Sequence, residues 1–563
     1  MMLVYLFFRD FMKKPFLLII LFTLALPVFG IIDTNDYYDI NLVEKNGTFN
    51  FESYKRSNYS YLFGGFDTNG YTEILGRMRL NIGPPELIGF YLVSEILFSN
   101  SDKRDAGGEF EKTGNTMLFY GEAYIGFKNK WTSVKFGFQN LISSDAIYHR
   151  LLLDDYSGPI FALRWSQLLS RYVDMDFIYS FIRPHQGEWS PNLTTLYKKS
   201  ELYGKSLFVK KFNFRPLPWI RIGLSDSVYF LGENFNIWFM NPFSIYFITL
   251  SLNKFYDEKF GSGLNTGASD LKIGLDFQIG FNGWRVYGEF LVDDSDAFFL
   301  MFKYPIFPNR IGAVLGGEIR GYLFTRYLKP PKVAEFFLKN LYINFEYAIT
   351  SKYVYSRDHV CNYEYVREEY QKAYDPRNPI SQTELDRVQR VGNFIGYMYG
   401  NNADSIDIAV GWRNDLERTK DYGAEYQTDV YYDSFKKKKF VDRLFKFQLH
   451  YRHYRLGDER NIVAPYYMNE HYYYDVDPDL DSDGDGVKDN DTSNRETEFL
   501  RVVLEEGNIF DINFYSDIFR ITRFVVGIET KFNFHWRTRL PRTSVESTDF
   551  VFRWEIASVI TWF

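Results

Sequence analysis

The densest chemistry in this 563-residue chain lies between positions 477 and 491. Asp477, Asp479, Asp481, Asp483, Asp485, Asp489 and Asp491 fall there, most of them at every second position, with Gly484 and Gly486 among them. Alternate carboxylates can converge on one hard cation, and glycine permits the sharp turn that this requires. Unneutralised, so many like charges would repel one another. A loop-bound Ca2+ is therefore the expectation for residues 475–491. A plain solvated acidic loop is the competing reading.

A second set of candidates is Arg221, Arg285, Tyr287, Glu289 and Asp293. The run Trp284-Arg-Val-Tyr-Gly-Glu-Phe-Leu-Val-Asp293 alternates as a strand does, which puts Tyr287, Glu289, Leu291 and Asp293 on one face and Phe290 and Val292 on the other. Carboxylates beside Arg221 and Arg285 can form a charge-lined constriction. They can equally pair and rigidify an interior. Catalytic groups are sparse. Among the seven histidines, only His450 and His453 are close, and on a strand they face opposite ways. Ser157 follows Asp154 and His149, but nothing in the spacing orients a nucleophile against a base. The expectation is that the chain is not an enzyme, with an outer-membrane hydrolase as the outside possibility.

The elements that carry these residues alternate along nearly the whole chain. In 131–139, Thr132, Val134, Phe136 and Phe138 oppose Ser133, Lys135, Gly137 and Gln139. In 270–281, Leu271, Ile273, Leu275, Phe277 and Ile279 oppose Asp270, Lys272, Asp276 and Gln278. The pattern recurs in 172–181, 341–349 and 520–534, near 71–82, 219–230, 284–293, 404–412 and 443–453, and in the final stretch 549–563. Period two sustained over about ten residues is a strand signal. An apolar face backed by full charges needs a greasy exterior and a wet interior. A soluble β-sandwich alternates too, but its strands average about five or six residues. The expected fold is all-β: a transmembrane antiparallel β-barrel of about 16–20 strands, 18 favoured and even in number, with long extracellular loops. Four stretches break the rhythm and read as loops: 99–116, 351–392, 414–442 and 466–498. The second holds a capping box, Ser381-Gln-Thr-Glu384, and the third holds Lys436–Lys439, read as a solvated turn.

Composition agrees. Aromatic residues make up 20% of the chain, with 45 Tyr and 56 Phe, which suits interfacial girdles. Residues 1–30 read as a signal peptide: Lys13 and Lys14 precede an apolar run from Phe16 to Leu26, and cleavage would follow Gly30. Residues 31–563 then form the barrel, placed in the outer membrane of a diderm bacterium. The net charge of −7 gives no footprint for nucleic acid. Cys361 is the single cysteine, so no intramolecular disulfide can form.

Three resemblances sharpen these expectations. The core Asp481-x-Asp483-x-Asp485-Gly486-x-x-Asp489 resembles the start of an EF-hand loop or a thrombospondin type 3 repeat, and the twelfth position, Thr492, departs from the EF-hand glutamate. The stretches Trp219-Ile-Arg-Ile-Gly-Leu-Ser-Asp-Ser-Val-Tyr229, Asn241-Pro242-Phe243 and Tyr287-Gly-Glu-Phe-Leu-Val-Asp-Asp294 resemble the capsule-assembly (Wzi-like) outer-membrane β-barrel family over roughly residues 115–320. That resemblance implies a monomeric barrel that binds capsular or other surface polysaccharide. Its surroundings would be outer-membrane lipid and lipopolysaccharide; the aromatic end of the last strand, Trp562-Phe563, separately resembles the signal read by the barrel-assembly machinery. The competing expectation is a porin or transport channel for small solutes.

Overall fold

The computed structural model describes the strands and helices named here, the segment 140–154, positions 351, 354–355 and 396–399, and several turn and loop positions; residues 1–57, 183–204, 294–309, 366–392, 415–444 and 458–502 are among those outside the described set. The expected signal peptide, the acidic run 475–491 and Lys436–Lys439 therefore lie outside the described residues. Among the described residues no helix is long and apolar enough to cross a membrane.

The main strands are β1 (Asn58–Asp67), β2 (Thr72–Ile82), β3 (Gly89–Ser99), β4 (Thr116–Lys128), β5 (Thr132–Gln139), β6 (Ile160–Ser170), β7 (Val173–Ile182), β8 (Lys205–Leu217), β9 (Ile220–Leu231), β10 (Ser269–Phe281), β11 (Trp284–Asp293), β12 (Ile311–Arg320), β13 (Leu341–Thr350), β14 (Ala403–Arg413), β15 (Phe445–Gly457), β16 (Val503–Ile521), β17 (Phe524–Arg539) and β18 (Ser547–Trp562). Each pairs antiparallel with its sequence neighbours. β1 pairs with β18 from Asn58↔Trp562 to Asp67↔Arg553, so these eighteen strands form a ring. The nineteenth strand of the sheet, Phe110–Thr113, pairs with β4 alone as a short hairpin arm. A closed ring leaves no unpaired edge in lipid, where a bare N–H or C=O is costly.

The alternation read from the sequence sorts the two faces. Leu224, Leu275, Phe290, Leu315, Phe345 and Ile408 are exposed on the outer face. Their neighbours in sequence, Gly223, Ser225, Asp276, Glu289, Val314, Glu346 and Asp407, point inward. On β18, Phe550, Trp554, Ile556 and Ile560 are exposed outward as the pattern requires.

Strand parity fixes the two ends. Asn58 and Trp562 mark one end, which also carries the short turns after β2, β4, β6, β8, β10 and β16. The longest connections leave from the other end, which is the extracellular one by the usual barrel rule. Two connections depart from that rule. β14 ends and β15 begins at the short-turn end, so the 414–442 stretch, expected among the outer loops, is a connection of the periplasmic end. The link between β12 and β13, also at that end, folds as two helices, α1 (Tyr322–Leu328) and α2 (Lys332–Lys339).

Inward tyrosines lie over glycines of the next strand. Tyr91 covers Gly126, Tyr287 covers Gly316, Tyr342 covers Gly411 and Tyr454 covers Gly507, each pair being register partners. A Cβ at Gly316 would clash with Cζ and Oη of Tyr287. Gly316→Val is therefore expected to destabilise the barrel by about 1–3 kcal/mol through overpacking. A lower temperature for loss of the folded band on semi-native gels would register it, and an unchanged one would refute it.

Candidate functional site

The lumen is where the charged face of the strands converges, and one segment crosses it. Residues 140–154 leave the top of β5 and turn inward instead of outward. The local sequence explains this. From Leu141 to Leu153 the chain reads Leu-Ile-Ser-Ser-Asp-Ala-Ile-Tyr-His-Arg-Leu-Leu-Leu, apolar at both ends with polar residues between and without alternation, so no single face can be left to water. Leu141, Ala146, Leu151, Leu152 and Leu153 are buried together with Tyr287, Leu291, Val314, Tyr355 and Tyr397.

Wall carboxylates hold the segment by its backbone. Glu289 on β11 accepts from the Leu151 and Leu152 N–H groups at 3.0 Å each and from the Ser144 hydroxyl at 2.7 Å. Glu346 on β13 accepts from the N–H groups of Ile147 at 2.8 Å, Tyr148 at 3.1 Å and His149 at 2.6 Å, and from the Tyr287 hydroxyl at 2.7 Å. Asp407 on β14 lies 2.6 Å from His149 Nε2, 2.7 Å from His450 Nε2 and 2.6 Å from Arg452 Nε. The Tyr148 ring stacks on His450 at 4.6 Å. On the near side, Lys211 donates to the Ser143 carbonyl and Arg221 pairs with Asp145 at 2.8 Å. Within the segment, Asp154 accepts from the Arg150 N–H at 2.9 Å.

The path of the segment follows from these partners. It is rooted between β5 and β6 and reaches Asp407 on β14 and His450 on β15. In a ring of eighteen strands, β14 stands nine positions from β5, at the opposite wall. The segment therefore crosses the lumen from wall to wall. It does so at mid-depth: Glu289 faces Asp276 and Val314 in register, and Glu346 faces Asp407, all near strand centres. Tyr355 and Tyr397, from the β13–β14 connection, seal it from above. Tyr355 Oη donates to the Leu151 carbonyl at 2.5 Å, and Tyr397 Oη donates to Ser405 at 2.7 Å. Burial pushes the phenols of Tyr148 and Tyr397 well above their ordinary range, so both stay protonated.

Each lumen candidate named from the sequence has a protein partner here. Tyr287, Glu289 and Asp293 do face inward with Leu291, and Phe290 faces out. Glu289 holds the crossing segment. Asp293 pairs with Lys272 at 3.1 Å and accepts from the Tyr355 N–H. Arg221 bridges Asp276 and Asp145 and donates to Asn213 at 3.0 Å. Arg285 pairs with Glu318 at 3.2 Å, with its guanidinium 5.1 Å from the Tyr287 ring. The set is brought into one lumen, with Glu289 apart from the two arginines. Glu346, Asp407 and the 140–154 segment were not singled out by sequence reasoning. The lost alternation in 141–153 was the available signal. His450 and His453 do diverge: His450 is buried against Asp407, whereas His453 lies 3.1 Å from Asn508.

The part of the motif around Asn241 lies on the opposite face. Phe239 and Tyr246 pack against Phe177, Phe208, Val228 and Leu271. There Lys210 and Asp226 pair at 3.4 Å beneath the Tyr246 ring. Asn241 itself is exposed. Among the described residues no group of His, Cys, Asp and Glu is arranged to hold a metal ion.

No protein-family model matches the sequence, and no curated protein matches it either. Solved structures similar to it are bacterial outer-membrane proteins. One is Wzi of Escherichia coli, described as an outer membrane protein involved in group 1 capsule assembly and a carbohydrate-binding β-barrel, with 11% identity and a TM-score of 0.44 over 91% of this chain and 86% of that one. Another is OccAB1 of Acinetobacter baumannii, with 8% identity and a TM-score of 0.39 over 92% and 100%. A third is the outer membrane protein OprD of Pseudomonas aeruginosa, with 7% identity and a TM-score of 0.38 over 89% and 91%.

Proposed function

We propose that this chain is an outer-membrane β-barrel of a diderm bacterium that works as a surface-polysaccharide binder, its lumen closed by its own segment. The observation that carries this reading is the 140–154 crossing. A diffusion channel needs a continuous wet path with charged groups free to meet the solute. Here the mid-depth carboxylates Glu289, Glu346 and Asp407 meet the protein's own donors. Function then shifts to the rim, where the connections 232–268, 351–402 and 458–502 leave the extracellular end and supply length enough for a polymer. Their aromatic residues, Tyr472, Tyr473 and Tyr474 among them, suit stacking on sugar rings.

The test is the conductance of purified 31–563 in a planar lipid bilayer, followed by binding to arrayed glycans. Silence with glycan binding supports the proposal. Stable open steps would sink it in favour of a small-solute channel. Ca2+ ordering of residues 475–491 belongs to the same proposal. Calorimetric titration is expected to show Ca2+ binding that Asp485→Ala weakens at least tenfold. Wild-type protein that takes up no Ca2+ would remove that part.

A further inference from the structure

The α1–α2 hairpin links β12 to β13 at the periplasmic end, and its second helix has two unlike sides. Val333, Phe336 and Phe337 fall on one stripe at helical spacing, while Glu335 and Lys339 pair at 2.8 Å on another. The apolar stripe is not tucked into the barrel. Val333 is 73% exposed and Phe337 56%, and Leu328 of α1 is 68% exposed beside them. What the stripe does touch is Trp412. The Phe336 and Phe337 rings lie 5.8 and 6.0 Å from it, and the Trp412 Nε1–H donates to the Phe337 carbonyl at 3.1 Å.

Trp412 belongs to the outer face. It follows Ile408 and Val410, both exposed outward, at strand spacing. From Trp412 the aromatic contacts continue along the same face to Phe445 at 5.6 Å and from there to Phe514 at 4.9 Å. The stripe is thus continuous with the lipid-facing belt. Other tryptophans stand exposed at the same end, Trp131 at 52% and Trp219 at 41%. Trp and Tyr collect where hydrocarbon meets headgroups. An amphipathic helix at that level lies in the interface plane with its apolar side in the acyl boundary. Asn340 fixes its pose: its side chain donates to the Phe336 carbonyl at 3.0 Å and its carbonyl accepts from the Arg413 N–H at 2.9 Å.

We propose that α2 is an interfacial helix that seats Val333, Phe336 and Phe337 in the periplasmic leaflet of the outer membrane, so that phospholipid is the occupant of this apolar face. It acts as a float on one side of the barrel, fixing the depth of the β12–β14 wall.

The experiment uses the full chain with Cys361→Ser and a nitroxide at Val333→Cys, Glu335→Cys or Phe345→Cys, reconstituted in phosphatidylethanolamine–phosphatidylglycerol vesicles. Collision rates with oxygen and with a water-soluble nickel chelate are compared. Phe345, 45% exposed at mid-strand, is the lipid control. The label at 333 is expected to favour oxygen severalfold more than the label at 335. Equal ratios at 333 and 335 would overturn the proposal. So would a label at 333 shielded from both reagents, which signals a covering protein surface. A control at 345 that reads as water would overturn the membrane placement of the barrel and this inference with it.

Discussion

Replacing Glu346 with alanine is expected to raise the conductance of the barrel from the silence proposed for wild type. The carboxylate accepts from three consecutive backbone N–H groups, Ile147 to His149, and from Tyr287 Oη. Without it, four donors at mid-depth against the barrel wall face no acceptor. Leaving a buried donor unsatisfied costs about 1–3 kcal/mol, so four such donors tilt the balance toward releasing the segment to water. The strand ladders do not depend on Glu346, since its backbone bonds to β12 and β14 remain. The barrel therefore stays intact while its crossing segment comes loose. Two measurements check this. Planar-bilayer recordings should show open steps that the proposed closed lumen withholds from wild type. Arg150, now 2% exposed, should become a site of trypsin cleavage. Glu346→Gln keeps one acceptor oxygen and should open less often. A Glu346→Ala barrel that is silent and resists trypsin at Arg150 would show that the segment is held by its other anchors alone.

How much of this was legible beforehand depends on period. The ring was legible because alternation is a local signal: each strand announces its two faces, and the inward set Tyr287, Glu289, Leu291 and Asp293 could be read directly. The partners of those residues could not. Glu289 meets Leu151 and Leu152 across 138 and 137 positions of chain, and no spacing rule reaches that far. The crossing segment was hidden for a related reason. Its apolar residues follow neither period two nor helical period, because it packs against a wall it meets only after closure. Whether the lumen charges line a constriction or pair with one another stayed open in the sequence for the same reason. Asp276, Glu289 and Asp293 are spent on Arg221, on backbone donors and on Lys272. Connection polarity, in contrast, needed only parity. Length suggested that 414–442 lies outside, and the strand count places its connection at the other end.

Asp407→Ala separates the wall from the plug. Asp407 and Arg452 are register partners on β14 and β15, and the same carboxylate reaches His149 of the crossing segment. Its removal leaves the half-sequestered Arg452 guanidinium without its closest carboxylate, and breaking such a buried pair costs about 3–5 kcal/mol. The expected result is a marked fall in the urea midpoint, followed by tryptophan fluorescence in vesicles. Replacing both partners with apolar residues, Asp407→Leu with Arg452→Met, removes the stranded charge, and such exchanges are often close to neutral. Most of the lost stability should return in the double variant. The plug should not recover with it, because His149 still lacks its carboxylate in both. Cleavage at Arg150 is therefore expected in the single and the double variant alike. A double variant as unstable as Asp407→Ala would mean that the cost lies in the crossing segment and not in the wall. If cleavage disappears in the double variant, Asp407 acts on the segment only through Arg452.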